Sequence, residues 1–568
     1  MKPIDSLFWP LAVLLLGIQT LLMVSTALDD SPTFDEGIHL AAGYLYWKTG
    51  DYRLDPEHPP LGRILNALPL LATGARLPGR PPAWDIEATL RYQAAFLYEN
   101  HVAAGELLWR GRSVTIVLTL VLGFVLALWT RKTFGAPAAL LALLLYALDP
   151  NLIAHGRYVT TDLVGTLFVF LAVILWTRFL EHSRKRDVAW AGLALGGALS
   201  SKFSAWFLPV VFVVLWLLRY LQCRRTPKPL GLRGGAAAIL AVSAIGLLVV
   251  FAVYLPATIA SVRQPEKLAA VVERNTVLGR FLHDAGTALS LPAHPLPVGL
   301  NWLAEHAHRG HQAYLLGRLS MHGWWYYFPV AFAVKTPLAV LLLLAAALLR
   351  LVRASPVRFQ SLEPGWLAVS VAPVVLMILS MTSPLNIGLR HVLPLYPFLF
   401  VAVSTKWDRP PGLSKLTIAA IAVVAGLSVV ENVRAYPNYL GFFNSAAGGM
   451  TNGPRYLLDS NIDWGQDLIR LHRWLLVNDS PSLCLRYFGA VDPARYGIRA
   501  QPVPRSWQTQ ARERMDCVAA VSVSSLFGLY EPPGSFAWLR ERAPSGRVGS
   551  SFYVYDLRRK PAPLRFPR

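Results

Sequence analysis

Apolar runs of about 18 residues or more recur along this chain, separated by short polar turns and a few longer polar stretches. Runs of that length suit a bilayer crossing and exceed what buried strands use. The pattern predicts eleven spans, at 7–28, 113–130, 136–153, 160–180, 188–201, 203–221, 236–256, 326–350, 366–383, 389–405 and 415–431. The first run reads as a retained helix although Ser25-Thr26-Ala27 resembles a cleavage site, because Leu7 to Leu28 exceeds the 7–15 residues of a signal-peptide core. From about residue 455 the pattern becomes that of a soluble unit. A helix is expected over Asp463–Leu476, strands over Leu483–Ala490 and Val518–Val523, a helix over Phe536–Arg542 and a strand over Ser551–Asp556. The fold class is therefore mainly α, a polytopic membrane protein with interfacial helices in its first outer loop. It divides into residues 1–450 and a small C-terminal extracytoplasmic α/β domain, 451–568.

Composition supports this: 54% of residues are hydrophobic and 15% charged, against about 25% charged in soluble proteins. A net charge of +21 would suggest nucleic acid in a soluble chain, but no nucleic-acid-binding motif is present, and the cations serve topology. With the N-terminus cytoplasmic, the basic turns Arg131-Lys132, Arg184 to Arg186, Cys223 to Arg233, Arg350 to Arg358 and Lys406 to Lys415 all fall on the cytoplasmic side. The loops 29–112 and 257–325, the turn His155 to Asp162 and the tail from about 432 then lie outside a cell (inner or plasma) membrane.

Candidate chemistry gathers in Thr33 to Arg63, which carries Asp35, Glu36, His39, Asp51, Asp55, Glu57 and His58 in a chain otherwise poor in charge. Carboxylates and imidazoles at a membrane surface suit general-base or metal chemistry; the alternative is a solvated loop that caps helices. Ile38, Ala41, Ala42, Leu45 and Tyr46 share one helical face and 61–73 is again apolar, which predicts two interfacial helices. Asp35 and His39 lie one turn apart, and Pro59-Pro60 sets Glu57-His58 at an extended turn.

Further charges stand where a lipid-facing wall would not tolerate them. Lys202 lies between two apolar runs, Lys335 inside another, and Arg390-His391 opens the tenth span. Arg157 could clamp an anionic headgroup. Asp162 starts a span and either caps it or joins the chemistry. All map to the outer half of the membrane, which suggests one cavity open to the outer leaflet. Cys484 and Cys517 are expected to form a disulfide if the outside is oxidising, leaving Cys223 free. No structural zinc spacing or nucleotide fingerprint is present.

Asp35-Glu36, the segment Asp55-Pro-Glu-His-Pro-Pro-Leu-Gly-Arg63, the turn Gly156-Arg-Tyr-Val-Thr-Thr-Asp162 and Lys335-Thr-Pro-Leu338 together resemble the GT-C membrane glycosyltransferases. Within these the protein O-mannosyltransferase and lipid A aminoarabinose transferase branch is most similar, including its bacterial dolichyl-phosphate-mannose-type members. The resemblance spans roughly residues 5–450. It implies an inverting transferase that moves a sugar from a polyprenyl or dolichyl phosphate to a hydroxyl of a protein, glycan or lipid. Asp35 matches the catalytic base, Asp162 the second acid and Arg157 a contact to donor phosphate or acceptor. Glu36, His58, Lys202, Lys335, Arg390 and His391 are candidate substrate-binding groups. Glu57 aligns with a residue that binds metal in the aminoarabinose branch, so a divalent metal is the one cofactor it raises. His58, however, stands where that branch has Lys and agrees with the mannosyltransferases. The tail does not resemble the eukaryotic β-trefoil inserts, and Tyr436–Asn444 through Asp459–Asp467 reads as a polar connection to the outer domain. A flippase for lipid-linked sugars and a ligase using diphosphate-linked donors are the competing functions; related halves and broken midplane helices, which would favour a transporter, are not seen.

Overall fold

The computed structural model describes residues 3–82, 85–223, 231–263, 295–353, 363–405, 415–479, 481–506 and 516–558. Parts of the basic turns, 224–230, 354–362 and 406–414, and most of the second outer loop, 264–294, lie outside the described residues.

Helices occupy every predicted span, from Pro3–Ala27 and Ala104–Phe134 through Asp162–His182, Lys185–Leu199, Leu208–Cys223 and Leu232–Arg263 to Pro364–Met381 and Lys415–Ala435. Among the described residues six helices are long and apolar enough to cross a membrane, or seven if a bent pair counts as one. The difference from eleven has local causes. The third span divides into Ala136–Ala147 and Pro150–His155, because Pro150 removes a backbone donor and the Asp149 carboxylate instead accepts from the Asn151 and Leu152 N–H groups. The eighth divides at Lys335-Thr-Pro into Tyr327–Lys335 and Leu338–Arg353, bent by 112°. There the Leu338 N–H donates to Glu431 Oε2 at 2.7 Å. Backbone groups freed at such a break need internal partners inside a bilayer.

The first outer loop departs from expectation. Its helix Glu36–Thr49 is buried on all sides from Glu36 to Tyr46, not laid along an interface with one wet face. The cause is a lid of chain around it: Leu61–Ala67 packs so closely that a Cβ on Gly43 would collide with the Arg63 carbonyl. Gly50, at φ 66°, ends the helix in the left-handed conformation that glycine adopts without strain.

At the C-terminus five strands form a mixed sheet in the order Gln501–Pro502, Leu483–Arg486, Val518–Ser522, Phe552–Asp556, Gly546–Val548. Leu483–Arg486 runs parallel to Val518–Ser522, and a disulfide joins Cys484 and Cys517 at the start of this pair. The strands at 501–502 and 546–548, and a hairpin of Ala313–Leu315 with Arg318–Ser320, were not predicted.

The connector is the unexpected part of the architecture. Asn444 Nδ2 donates to the carbonyls of Ala333 and Thr336, closing the 335–337 break. Further on, the N–H groups of Ser31 and Phe34 donate to the Gln466 and Trp464 carbonyls, and Leu389 N–H donates to Asn461 Oδ1. Residues 459–467 thus lie between the first outer loop and the start of the tenth span, holding both.

Candidate active site

Asp35 stands at the N-terminus of the Glu36–Thr49 helix but does not cap it with its side chain. Its Oδ2 instead accepts from Arg390 Nη1 at 2.8 Å, with the Asp35 side chain 18% exposed. The Arg390 guanidinium lies over the Trp464 ring, 4.3 Å from its centroid, a contact in which the π face attracts the cation. Arg390 also lies in the field of Asp162 and Asp459. Asp162 is bound by Lys202, whose Nζ also donates to the Arg390 carbonyl at 3.4 Å. Three acids and two cations from five parts of the chain therefore meet here. Arg390 Nε and His391 Nε2 are buried without a hydrogen-bond partner among the described residues. Buried donors normally find partners, so these nitrogens are open positions for a polar ligand.

Glu36 does something different from its neighbour. It is fully buried, and its carboxylate accepts from Arg112 Nε and Nη2 at 2.8 and 2.6 Å and from the N–H groups of Val159 and Thr33 at 3.0 and 2.9 Å. A carboxylate accepting four donors has no room for a substrate group. Its position fixes the helix start from which Asp35 projects.

Arg157 is likewise occupied: its Nε and Nη2 donate to Asp30 Oδ2 at 3.0 and 2.7 Å, and it is buried. Burial alone would raise the Asp30 pKa, but Arg157, Arg470 and Arg112 bring it down to about 2. Lys335 donates to the carbonyls of Leu440 and Asn461 at 2.8 and 2.6 Å. Both cations thus face protein groups: Arg157 ties the turn before Asp162 to the first loop through Asp30, and Lys335 ties the connector to the membrane helices.

A second cluster lies beside the helix. Arg63, fully buried, donates to Tyr46 Oη and the Asp55 carbonyl, both at 2.7 Å, to His39 Nδ1 at 3.0 Å, and to the Asp55 carboxylate. His58 Nδ1 is 3.3 Å from Asp55 Oδ1, with its ring one-third exposed. Burial pushes Asp55 upward, yet Arg63 and His58 override it and hold the carboxyl well below the usual range. Burial and then Arg63 push the His39 imidazole well below its usual pKa. Next to this cluster opens a cavity of about 940 Å³, lined by Leu45, Tyr52, Ile64, Val253 and Ile259 with Lys48 and Arg80 also lining it.

Glu57 Oε2 faces His306 Nδ1 at 3.4 Å, and among the described residues no three His, Cys, Asp or Glu side chains are arranged to hold a metal ion. One carboxylate and one imidazole fall short of the three protein ligands of a catalytic zinc site.

Arg112, Arg63, Asp30, Asp459, Trp464, His306 and His311 were not singled out from sequence. Acids four apart at Asp459, Asp463 and Asp467, and histidines at 306, 308 and 311, were the available signals.

Residues 100–258 match the family model of the dolichyl-phosphate-mannose-protein mannosyltransferases. That stretch holds Arg112, Arg157, Asp162 and Lys202 of the clusters above. No curated protein matches the chain. Among solved structures the chain is similar to ArnT from Cupriavidus metallidurans bound to undecaprenyl phosphate, at 13% identity over 95% of this chain and 97% of that one, with a TM-score of 0.48. It is also similar to the oligosaccharyltransferase AglB from Archaeoglobus fulgidus, at 11% identity over 96% and 74% of the two chains and a TM-score of 0.41. A third similarity is to the S. cerevisiae Pmt1–Pmt2 complex bound to its sugar donor, at 18% identity over 45% and 34% and a TM-score of 0.30.

Proposed function

We propose that this protein is an inverting glycosyltransferase of the outer membrane face, taking a sugar from a polyprenyl or dolichyl phosphate and passing it to an acceptor hydroxyl. The observation that carries the reading is the Asp35–Arg390 pair, where a carboxylate with one side-chain partner adjoins cations and two buried, unpartnered nitrogens. Asp35 takes the proton of the acceptor hydroxyl. The oxygen attacks the anomeric carbon from the face opposite the phosphate, the C–O bond to phosphate breaks, and the lipid phosphate leaves with the electron pair. Arg390, Lys202 and His391 supply positive charge or donors to that phosphate, placed before the reaction begins. Asp162 holds Lys202 in position. His58 borders the same region through His39, the two rings 5.0 Å apart. The apolar cavity beside the second cluster suits the isoprenoid chain. The N-terminus is cytoplasmic in this reading.

The test uses protein in nanodiscs with a panel of polyprenyl-phosphate sugars and cell-envelope extract. Free polyprenyl phosphate should appear in step with acceptor-linked sugar of inverted anomeric configuration. Retention of configuration, or movement of intact donor between leaflets without hydrolysis, would overturn the reading, the latter in favour of a flippase.

A further inference from the structure

Behind the Arg390 centre runs a line of polar groups that the proposed transfer does not use. It begins at Asp459, which sits at φ 59°, a conformation a non-glycine residue keeps only when its surroundings impose it. Asp459 Oδ1 accepts from the Ser460 N–H and Oδ2 from the Tyr530 hydroxyl, each at 2.5 Å. The Tyr530 oxygen is 2.7 Å from His311 Nε2, and His311 Nδ1 is 2.9 Å from His306 Nε2. The His306 side chain is 28% exposed. Among the described residues Asp459 faces Arg390 and Asp35, Tyr530 faces Asp459, Tyr327 and Arg390, His311 faces His306 and Arg390, and His306 faces Glu57, with its Nδ1 3.4 Å from Glu57 Oε2, and Arg309. The three central groups come from the second outer loop, the connector and the C-terminal unit, so only the folded chain assembles them.

We propose that Asp459, Tyr530 and His311 form a proton path that carries the acceptor-hydroxyl proton from the Asp35–Arg390 centre towards the outer surface. This rests on the transferase reading, in which each turnover releases one proton at Asp35. That proton moves to Asp459, which shares the field of Arg390 with Asp35. Protonated Asp459 then donates to the Tyr530 oxygen, the phenol hydrogen passes to His311 Nε2 in the Nδ1–H tautomer, and the Nδ1 proton leaves towards His306. One proton enters and one leaves with no change of charge, and re-equilibration of His311 from its Nε2–H to its Nδ1–H tautomer resets the path for the next turnover. Burial raises the Asp459 carboxyl to about 6, where it can hold and release a proton near neutrality. Burial, with His306, lowers His311 to about 4, so that its ring is neutral and able to accept. All three are positioning or relay groups, not groups that touch the sugar.

The test compares wild type, Tyr530→Phe, His311→Ala and Asp35→Asn in the nanodisc transfer assay, in H2O and D2O and with added imidazole. Tyr530→Phe removes one oxygen and keeps the ring; it should lower kcat at least about tenfold with the donor KM unchanged, less than the roughly 10²–10⁴-fold of a group that takes the proton directly. His311→Ala should lose a similar factor and regain rate on addition of imidazole, and both variants should show a solvent isotope effect different from wild type. If both variants turn over at the wild-type rate while Asp35→Asn does not, the path falls and the transferase stands. A loss in His311→Ala that imidazole does not restore, with an unchanged isotope effect, marks a structural role and also overturns the path. If wild type consumes no donor, both readings fall together.

Discussion

Replacing Glu36 by Gln separates a structural anchor from a substrate ligand. Every contact of the Glu36 carboxylate is a donor: two from Arg112 and one each from the Thr33 and Val159 N–H groups. A Gln amide would turn one oxygen into an NH2 facing two of those donors, and would leave the Arg112 guanidinium buried without its anion. Arg112 keeps the carbonyls of Ala27, Asp30 and Ser31 and the field of the Asp30 carboxylate, but loses the carboxylate it is bonded to. Removing one partner of a buried ion pair costs roughly 3–5 kcal/mol. With an unfolding entropy of about 2.1 cal/mol/K per residue, a chain of 568 residues unfolding as one unit would lose about 3–4 °C in Tm. The assay is thermal unfolding in detergent, followed by tryptophan fluorescence, alongside donor binding by the surviving folded protein. A Tm within about 1 °C of wild type, combined with weakened donor binding, would refute the anchor and return Glu36 to the substrate-binding group in which its sequence placed it.

Other consequences are testable in the same preparations. Replacing both Cys484 and Cys517 by Ala opens a loop of 33 residues and should destabilise the C-terminal unit by about 2–4 kcal/mol, seen as faster limited proteolysis of the tail; an unchanged digestion rate would contradict the bridge. Asp459 has a raised folded-state pKa of about 6, so the stability it contributes is complete below its unfolded value of about 3.9 and is lost as pH rises through 6. The Tm of wild type relative to Asp459→Asn should therefore fall between pH 4 and 7, and a flat difference would count against that environment. Arg63→Met leaves the Asp55 carboxylate buried without its main partner and should cost a further few kcal/mol by the same buried-pair reasoning, read as a lowered Tm with Asp55 ionised.

Elements were easier to read from this chain than partners. Each apolar run became helix because a bilayer-length stretch of Leu, Val and Ala has little alternative, and Cys484 and Cys517 stood out as the two cysteines of the tail. Asp35 was visible as an acid in an acid-poor chain. What could not be read was which charge meets which: Asp35 and Arg390 are 355 residues apart, and nothing local to Asp35-Glu36 tells one acid from the other. The fold distinguishes them by a 100° step along a helix, which turns Glu36 inward to Arg112 and leaves Asp35 at the open end. The contacts of the connector were hidden for a similar reason. Asp459 to Asp467 is polar and follows the last span, as a linker would, yet its carbonyls and side chains satisfy the donors of Lys335, Leu389, Ser31 and Phe34. Arg157 and Lys335 looked like phosphate clamps because a lone cation near a membrane has that use, while their carboxylate and carbonyl partners lay far along the chain.

The most direct test of the central claim is donor consumption by Asp35→Asn beside wild type, measured as free polyprenyl phosphate. The substitution keeps the side-chain size and an acceptor oxygen for Arg390 but removes the base. A loss of at least about a hundredfold in kcat, the lower end of a general-base contribution, with the protein still folded and the donor still bound, is the result predicted. Equal consumption by the two proteins would show that Asp35 does not take the proton, and would contradict the account.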